Sequence, residues 1–300
     1  MTKDGTYNLD ELEQLLRAAG EQTRLRLLYL CSKGEHTVSD LVSALHQSQP
    51  RVSRHLKILC DAGLLERYRD GHWVYFRVPH RGREAQAARM VLSFLSDADI
   101  VTRADLQALN AAIADDAADM PGDDMLARRF HRLVIDQFLS APVGELLDIG
   151  AGSGAMLKLL AGKASSAHGV DIDPDARRHA RRAFVKAELT NCTVRPGDMY
   201  RLDFPDARFD TVVLDEVLLE AADSQAVLTE ALRVMRANGR LLVVEHIGIA
   251  DENDAAGRLS ALLGGCGLRC GPVRRSNDRQ HKYLVAMAQG DLEQLDRQQA

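Results

Sequence analysis

Three closely spaced glycines stand where the chain could bind a nucleotide. The apolar segment 146–149 predicts a strand, and Gly150-Ala151-Gly152-Ser153-Gly154 follows it directly. A second predicted strand, 167–172, carries Asp171, which comes 21 residues after Gly150. Glycines let a backbone turn tightly and approach a ligand closely, and an acid at the end of the second strand can accept hydrogen bonds from both ribose hydroxyls. The pattern predicts a nucleoside site at the carboxyl edge of a parallel sheet.

The glycine motif alone fits two kinds of ligand, because the Gly-x-Gly-x-x-Ala pattern of residues 150–155 also satisfies the relaxed dinucleotide fingerprint. Three features favour S-adenosylmethionine. Asp148 precedes the first glycine by two residues, Gly154 supplies a third glycine, and Asp198 stands where a third strand should end. An acid there can accept the adenine N6 protons, and the amide of Met199 can donate to adenine N1.

Strand and helix patterns alternate further along the chain, with predicted strands at 209–214, 240–245 and 282–288. In this order the motifs resemble the class I S-adenosylmethionine-dependent methyltransferases over about residues 125–289. The resemblance implies an α/β Rossmann-like domain that binds S-adenosylmethionine or S-adenosylhomocysteine. The residues that it implies for cofactor binding are Asp148, Gly150, Gly152, Gly154, Asp171, Ile172, Asp198, Met199 and Leu214.

The same resemblance implies a role for each part of this set. It places the three glycines at the methionine part of the ligand and Asp171 at the ribose. Ile172 would pack on adenine, whose edge Asp198 and Met199 would read. Asp148 and the backbone of Leu214 would lie near the ligand amino group.

No residue identifies a methyl acceptor. Methyl transfer from a sulfonium depends mainly on proximity and in-line orientation, so a missing base excludes nothing. The candidate side chains beside the cofactor are Glu216, Glu245, His246 and His281. The fourth predicted strand runs into Asp215-Glu216, which is not the Asn/Asp-Pro-Pro-Tyr motif of amino-directed nucleic-acid methyltransferases. The catalytic residues stay unknown, and the chain could be an enzyme or a binding protein.

The amino-terminal part carries a local excess of positive charge. Residues 1–96 hold 14 Lys and Arg against 11 Asp and Glu, whereas the whole chain has a net charge of −5. Val52, Leu56 and Leu59 recur at the spacing of a buried helical stripe, with Arg54 and Lys57 on the opposite side. A tight connection to a preceding short helix predicts a helix-turn-helix, whose cationic face suits a polyanion.

A predicted hairpin follows this helix, because Asp70-Gly71 separates two segments with strand-forming residues. A hairpin directly after a recognition helix is typical of a wing. Four motifs then occur in order: Thr23-Arg24-Leu25-Arg26-Leu27-Leu28, Ser53-Arg54-His55-Leu56-Lys57, Ala62-Gly63-Leu64 and Asp70-Gly71-His72-Trp73-Val74-Tyr75. Over about residues 9–80 they resemble the ArsR/SmtB winged-helix repressors. The resemblance implies an α+β winged helix-turn-helix and a homodimer that binds a palindromic operator in double-stranded DNA. The candidate DNA-binding residues are Gln49, Arg51, Ser53, Arg54, Lys57 and Arg69.

The metal-sensing feature of many ArsR/SmtB repressors is missing. The helix before the predicted recognition helix begins Thr37-Val38-Ser39-Asp40-Leu41 and has no thiol. Cys31 and Cys60 lie in apolar helices and are interpreted as small buried residues. Cys266 and Cys270 could offer two thiols, which is an incomplete site for a soft metal. We therefore predict no metal site.

The two resemblances predict two domains in this order: an α+β winged helix-turn-helix and an α/β Rossmann-like class I methyltransferase fold. We expect the DNA-binding domain at 1–96, a helical linker at 97–124, the methyltransferase-like domain at 125–289 and a tail at 290–300. Five scattered cysteines, no apolar run of membrane length and no secretory signal favour a cytoplasmic protein without a membrane partner.

The domain order resembles S-adenosylhomocysteine-responsive regulators. It predicts a transcriptional repressor whose second domain binds S-adenosylmethionine or S-adenosylhomocysteine as the signal. The alternative is an active S-adenosylmethionine-dependent methyltransferase that carries an ArsR-type DNA-binding domain.

Overall fold

The computed structural model describes residues 6–96, 98–116, 142–247, 252–266, 268–270, 274–277 and 282–290. The chain forms two compact units. The first comprises Met1–Met120 with Phe184–Thr190, and the second comprises Pro121–Ala183 with Asn191–Ala300. No helix among the described residues is long and apolar enough to cross a membrane.

The first unit is a winged helix-turn-helix with additional helices. Its helices are α1 (Leu9–Ala19), α2 (Gln22–Ser32), α3 (Val38–Leu45), α4 (Gln49–Asp61), α5 (Gly82–Ser93) and α6 (Ile100–Asp116). Its strands are β1 (His36–Thr37), β2 (Glu66–Asp70) and β3 (Trp73–Arg77), which form an antiparallel sheet in the order β1-β3-β2.

Local signals begin the two helices of the helix-turn-helix. Thr37 and Asp40 form a capping box at the start of α3, in which each side chain bonds the backbone amide of the other residue. Ser48 occupies the N-cap position of α4 without a side-chain hydrogen bond, and Pro50 lies in the first turn. The predicted stripe of Val52, Leu56 and Leu59 is completely buried.

The wing is the hairpin of β2 and β3. Asp70 pairs with Trp73, so the turn consists of Gly71 and His72, and Gly71 has a φ of 57°. A two-residue turn of this kind requires a left-handed backbone, which glycine adopts without steric cost. The structure therefore confirms the predicted hairpin.

The second unit is a mixed sheet flanked by helices. Its strands are β4 (Gly144–Ile149), β5 (Ala164–Asp171), β6 (Cys192–Pro196), β7 (Phe209–Asp215), β8 (Met235–Ile247), β9 (Leu268–Cys270), β10 (Arg274–Asn277) and β11 (Lys282–Gly290), and its helices are α7 (Ala155–Leu160), α8 (Pro174–Lys186), α9 (Ser224–Val234) and α10 (Glu252–Gly265). The sheet order is β6-β5-β4-β7-β8-β11-β10, and β9 pairs with β11.

The first five strands of that order are parallel, whereas β11 runs antiparallel to β8. The carboxyl ends of β4, β5, β6 and β7 consequently meet at one edge of the sheet, where ligands of open α/β sheets bind. This is the predicted α/β Rossmann-like fold, and it brings the loops after these strands together.

Helix α6 lies within the segment predicted as a linker, 97–124. Its Leu109 and Ile113 are buried in the apolar core of the first unit. Arg26 on α2 also binds Asp105 on α6 through two hydrogen bonds of 2.6 Å. Residues 97, 117–124 and 291–300 of the predicted linker and tail lie outside the described residues, and the domain limits stay a prediction.

Asp105→Ala should lower the free energy of unfolding of the first unit by about 2–4 kcal/mol, because it leaves the largely buried Arg26 guanidinium without its carboxylate. Denaturant unfolding monitored by circular dichroism measures this change. Glu13→Ala is the matched control, since it breaks the exposed Glu13–Arg17 pair and should cost less than about 1 kcal/mol. Equal losses in the two variants would contradict the prediction.

Candidate ligand site and nucleic-acid interface

The loop after β4 adopts a backbone that requires its glycines. Gly150, Gly152 and Gly154 have φ values of 75°, 49° and 77°, in the left-handed region that other residues avoid. The amides of Gly150 and Ala151 both donate to the carbonyl of Val170 on β5 at 2.9 Å. The loop is therefore tied to the neighbouring strand where that strand ends.

Asp171 is oriented by the same loop. The amide of Gly152 donates to Oδ2 of Asp171 at 2.7 Å, and the amide of Asp173 donates to Oδ1 at 2.8 Å. A Cβ built on Gly152 would meet no atom within 4 Å, so the loop is open at this glycine. Each carboxylate oxygen keeps a lone pair for a further donor. The structure thus brings Gly152 and Asp171 together, as the sequence predicts, in a place that can receive a hydroxylated ligand.

Asp148 lies behind this loop as a buried acid. Its side chain is 1% exposed, and its Oδ1 has no hydrogen-bond partner in the described part of the chain. Burial raises its pKa well above the ordinary value, and the carboxylates of Asp215 and Asp171 raise that pKa further. A cationic donor such as a ligand ammonium group would satisfy this oxygen and offset the surrounding negative charge.

The turn after β6 reaches the same edge. The amide of Gly197 donates to the carbonyl of Asp171 at 3.2 Å. Asp198 then lies exposed and Met199 half-buried against the core, while Ile172 is 79% exposed. These residues suit the adenine contacts that the resemblance implies.

The strand β7 supplies the last predicted cofactor residue. Leu214 is buried and pairs with Ile149 at the end of β4. The next residue, Asp215, raises the pKa of Asp148 and was not part of the predicted cofactor set. Arg177, which donates to the carbonyl of Asp171 at 2.6 Å, was also missed. No spacing rule connects either residue to the glycine loop, because their contacts cross between strands and helices.

The other candidate side chains separate into buried and exposed groups. Glu245 is 2% exposed and accepts the amide of Leu218 at 2.6 Å. Burial raises the pKa of Glu245 to about 7; backbone hydrogen bonds from Leu218 and Leu219 oppose that rise, and Asp215 adds to it. Glu216 and His246 are exposed, and His281 lies outside the described residues.

A cationic surface covers the outer side of α4. Its inner stripe is buried, whereas Gln49, Arg51, Arg54 and Lys57 are exposed and Ser53 is half-buried. Lys57 also pairs with Asp61 at 2.7 Å. Arginine and lysine side chains on such a helix can contact base edges and phosphates.

The wing adds further cations to this surface. Arg67 and Arg69 are exposed on β2. The base of the hairpin is fixed by Arg77, whose Nη1 lies 2.7 Å from Oε1 of Glu35 and whose Nε lies 2.5 Å from Oε1 of Glu66. The wing therefore carries its exposed arginines on a rigid base.

The thiols of the first unit do not have the character of metal ligands. Cys31 is buried, and burial raises its pKa. Burial also raises the pKa of Cys60 to about 11. Both thiols are consequently protonated at neutral pH, whereas metals bind thiolates. Cys266 is half-buried, and the side chain of Cys270 lies outside the described part.

The two units match two protein families. Residues 21–67 match the bacterial regulatory protein, arsR family, and residues 147–243 match the methyltransferase domain family. The chain joins an ArsR-type winged-helix domain to a class I methyltransferase domain. Of the residues discussed above, α4 belongs to the ArsR-type domain and the glycine loop belongs to the methyltransferase domain.

Relatives of each domain are known separately. The arsenical resistance operon repressor of Escherichia coli (strain K12) is 46% identical over 69 residues, which are 22% of this chain and 59% of the repressor. The demethylmenaquinone methyltransferase of Tropheryma whipplei (strain Twist) is 34% identical over 101 residues, 34% of this chain and 41% of that protein. A solved SAM-dependent methyltransferase from Aquifex aeolicus has a TM-score of 0.48 and 19% identity, over 59% of this chain and 97% of that chain. The chain thus spans about half the length of the curated relatives that it matches.

Asp148→Asn should stabilise the methyltransferase domain increasingly as the pH rises. The folded state raises the pKa of Asp148 above the ordinary 3.8, so the wild type loses stability as the pH rises from about 3.8 to the folded pKa. Asparagine does not titrate, and each pH unit in that window changes the difference in unfolding free energy by up to about 1.4 kcal/mol. Thermal unfolding of the wild type and the variant from pH 4 to pH 8 measures this difference in stability. A gap that does not vary with pH would refute this account of Asp148.

Proposed function

We propose that this protein is a DNA-binding transcriptional regulator, a repressor, whose methyltransferase domain binds S-adenosylmethionine or S-adenosylhomocysteine as the signal. The observation that carries the proposal is the Gly152–Asp171 arrangement in the same chain as the exposed cationic face of α4. One feature suits a nucleoside and the other suits a polyanion. A chain with both can respond to the first by changing its affinity for the second.

The DNA-binding part of the proposal rests on α4 and the wing. Helix α4 would enter the major groove of a double-stranded operator, with Arg51, Arg54 and Lys57 at bases and phosphates and Gln49 and Ser53 beside them. Arg69 of the wing would contact phosphate. A regulator of this kind acts where the chromosome is, which supports a cytoplasmic location.

The ligand-binding part rests on the loop after β4. The three glycines would adjoin the methionine part, Asp171 the ribose, and Ile172, Asp198 and Met199 the adenine. Asp148, with its unpaired oxygen, and the backbone of Leu214 would lie near the ammonium group. When bound, S-adenosylmethionine supplies a sulfonium methyl group, whereas S-adenosylhomocysteine has a neutral thioether. Differential affinity of the ligand for two DNA-binding states is required, and a coupling of about 1–3 kcal/mol would change operator affinity about 5–150-fold.

The second candidate function is an active methyltransferase with its own DNA-binding domain. The match of residues 147–243 to the methyltransferase domain family favours it, as does the relative that is a demethylmenaquinone methyltransferase. Titration calorimetry with each ligand, together with operator binding to DNA upstream of the gene, separates the two functions. A shift of DNA affinity on ligand binding supports the regulator. Ligand binding without such a shift favours the enzyme.

We also propose a homodimer, in line with the ArsR-type resemblance. Two helices of the first unit carry exposed apolar side chains, namely Leu9, Leu12 and Leu16 on α1 and Met90 on α5. Phe94, at the end of α5, is 85% exposed. These side chains line or adjoin a groove between α1 and α5. A second copy of the chain would bury this apolar surface.

Arg54→Ala should weaken operator binding about tenfold or more and leave ligand affinity unchanged, because Arg54 is exposed on α4. Asp171→Ala should abolish the ligand response and reduce ligand affinity by at least about tenfold, without altering DNA binding by the ligand-free protein. Fluorescence anisotropy with operator DNA and titration calorimetry measure the two affinities. Arg17→Ala, which removes an exposed cation of α1, is the control and should change neither. Wild-type operator affinity in the Arg54 variant would refute the assignment of α4.

Leu16→Ser combined with Phe94→Ser should convert the dimer to a monomer, since both side chains belong to the exposed apolar surface. Sedimentation velocity of the wild type and the variant gives the oligomeric state, and circular dichroism checks the fold. Leu9→Ser alone should have a smaller effect, because Leu9, the first residue of α1, does not line the groove that Leu16 and Phe94 line. A dimer of unchanged strength in the double variant would exclude this surface.

A further inference from the structure

The turn that follows β7 packs against the glycine loop after β4. It comprises residues 216–219 and begins with Glu216 at a φ of 56°, in the left-handed region. Its Val217 lies so close to the loop that a Cβ on Gly150 would be only 2.5 Å from Val217 Cγ2. The positions of this turn and of the first glycine are thus mutually dependent.

A buried carboxyl group holds this turn. Oε1 of Glu245, at the end of β8, accepts the amide of Leu218 at 2.6 Å and the amide of Leu219 at 3.3 Å. The amide of Glu216 separately donates to the carbonyl of Val244 at 2.8 Å. The turn is therefore fixed to β8 by one backbone bond and one side chain.

Placing a carboxyl group at such a position is energetically unfavourable. Glu245 is 2% exposed, and the neighbouring Asp215 is also acidic. An apolar side chain would avoid the desolvation penalty but would leave the amides of Leu218 and Leu219 without an acceptor. The carboxyl group is the feature that satisfies these amides and keeps Val217 over Gly150.

We propose that Glu245 is a positioning residue for the S-adenosyl site: it holds the turn 216–219 against Gly150, and its protonation loosens that turn and weakens ligand binding. This inference rests on the proposed ligand-binding function. The ionised carboxylate is the stronger acceptor of amide hydrogens. The groups that face it are Asp215 on β7 and the amides of the turn. Because Glu245 has a pKa of about 7, ligand affinity should fall as the pH decreases through neutrality.

Three proteins test the proposal: the wild type, Glu245→Ala and Glu245→Gln. Calorimetric titration with S-adenosylhomocysteine between pH 5.5 and 8.5 should show wild-type affinity that declines at the acidic end. Glu245→Ala should bind about tenfold more weakly at pH 8. Glu245→Gln retains an amide oxygen as acceptor, so it should recover most of the affinity at pH 8 and lose the dependence on Glu245 titration.

Hydrogen exchange gives a readout that does not need the ligand. Peptides that cover residues 213–222 should exchange faster in Glu245→Ala, and in the wild type at pH 6 after correction for intrinsic rates. Asp99→Ala is the control, because Asp99 also accepts a backbone amide, that of Thr102 at 2.9 Å, but in the first unit. It should leave both ligand affinity and exchange of the 213–222 peptides unchanged.

The outcomes separate this inference from the proposed function. Wild-type affinity and protection in Glu245→Ala would overturn the positioning role and leave ligand binding intact. An unaltered pH profile in Glu245→Gln would overturn the role of its protonation. A wild-type protein that binds neither S-adenosylhomocysteine nor S-adenosylmethionine would overturn the proposed function and this inference together.

Discussion

The hydrogen bond from the Gly152 amide to the Asp171 carboxylate links the loop after β4 to the end of β5. The bond is possible because Gly152 has a left-handed backbone, which directs its amide toward the end of β5. The same carboxylate accepts the amide of Asp173, while the carbonyl of Asp171 accepts Gly197 and Arg177. One residue thus fixes the loops after β4, β5 and β6. The site is built mainly from backbone groups, and few of its parts can move independently.

Negative charge is concentrated at this edge of the sheet. Asp171 and Asp215 raise the pKa of the buried Asp148, and Asp215 also raises that of Glu245. Burial and neighbouring acids together disfavour the ionised forms of Asp148 and Glu245. A cationic group brought to this edge would favour those ionised forms.

The sequence predicted those parts of the structure that depend on local chemistry. The glycine loop, Asp171 and the hairpin turn at Gly71 all follow from what single residues can adopt or bond over a short span. Contacts between distant segments were not predictable in this way. The proximity of Val217 to Gly150 and of Asp215 to Asp148 depends on the order of strands in the sheet, which residue spacing does not encode. The two family resemblances predicted the fold, whereas these contacts are visible only in the structure.

Helix α6 sets how far the first unit can be shortened without disturbing its core. A chain cut after Ser96 would keep every residue of α4 and of the wing. It would also lose Leu109 and Ile113 from the apolar core and Asp105 from its pair with Arg26. The shortened unit would contain a cavity in its core and an Arg26 side chain without its carboxylate partner. A piece that keeps these contacts of α6 extends at least to Asp116, where that helix ends. Cutting the chain before α6 therefore affects the apolar core of the first unit and leaves the exposed residues of α4 in place.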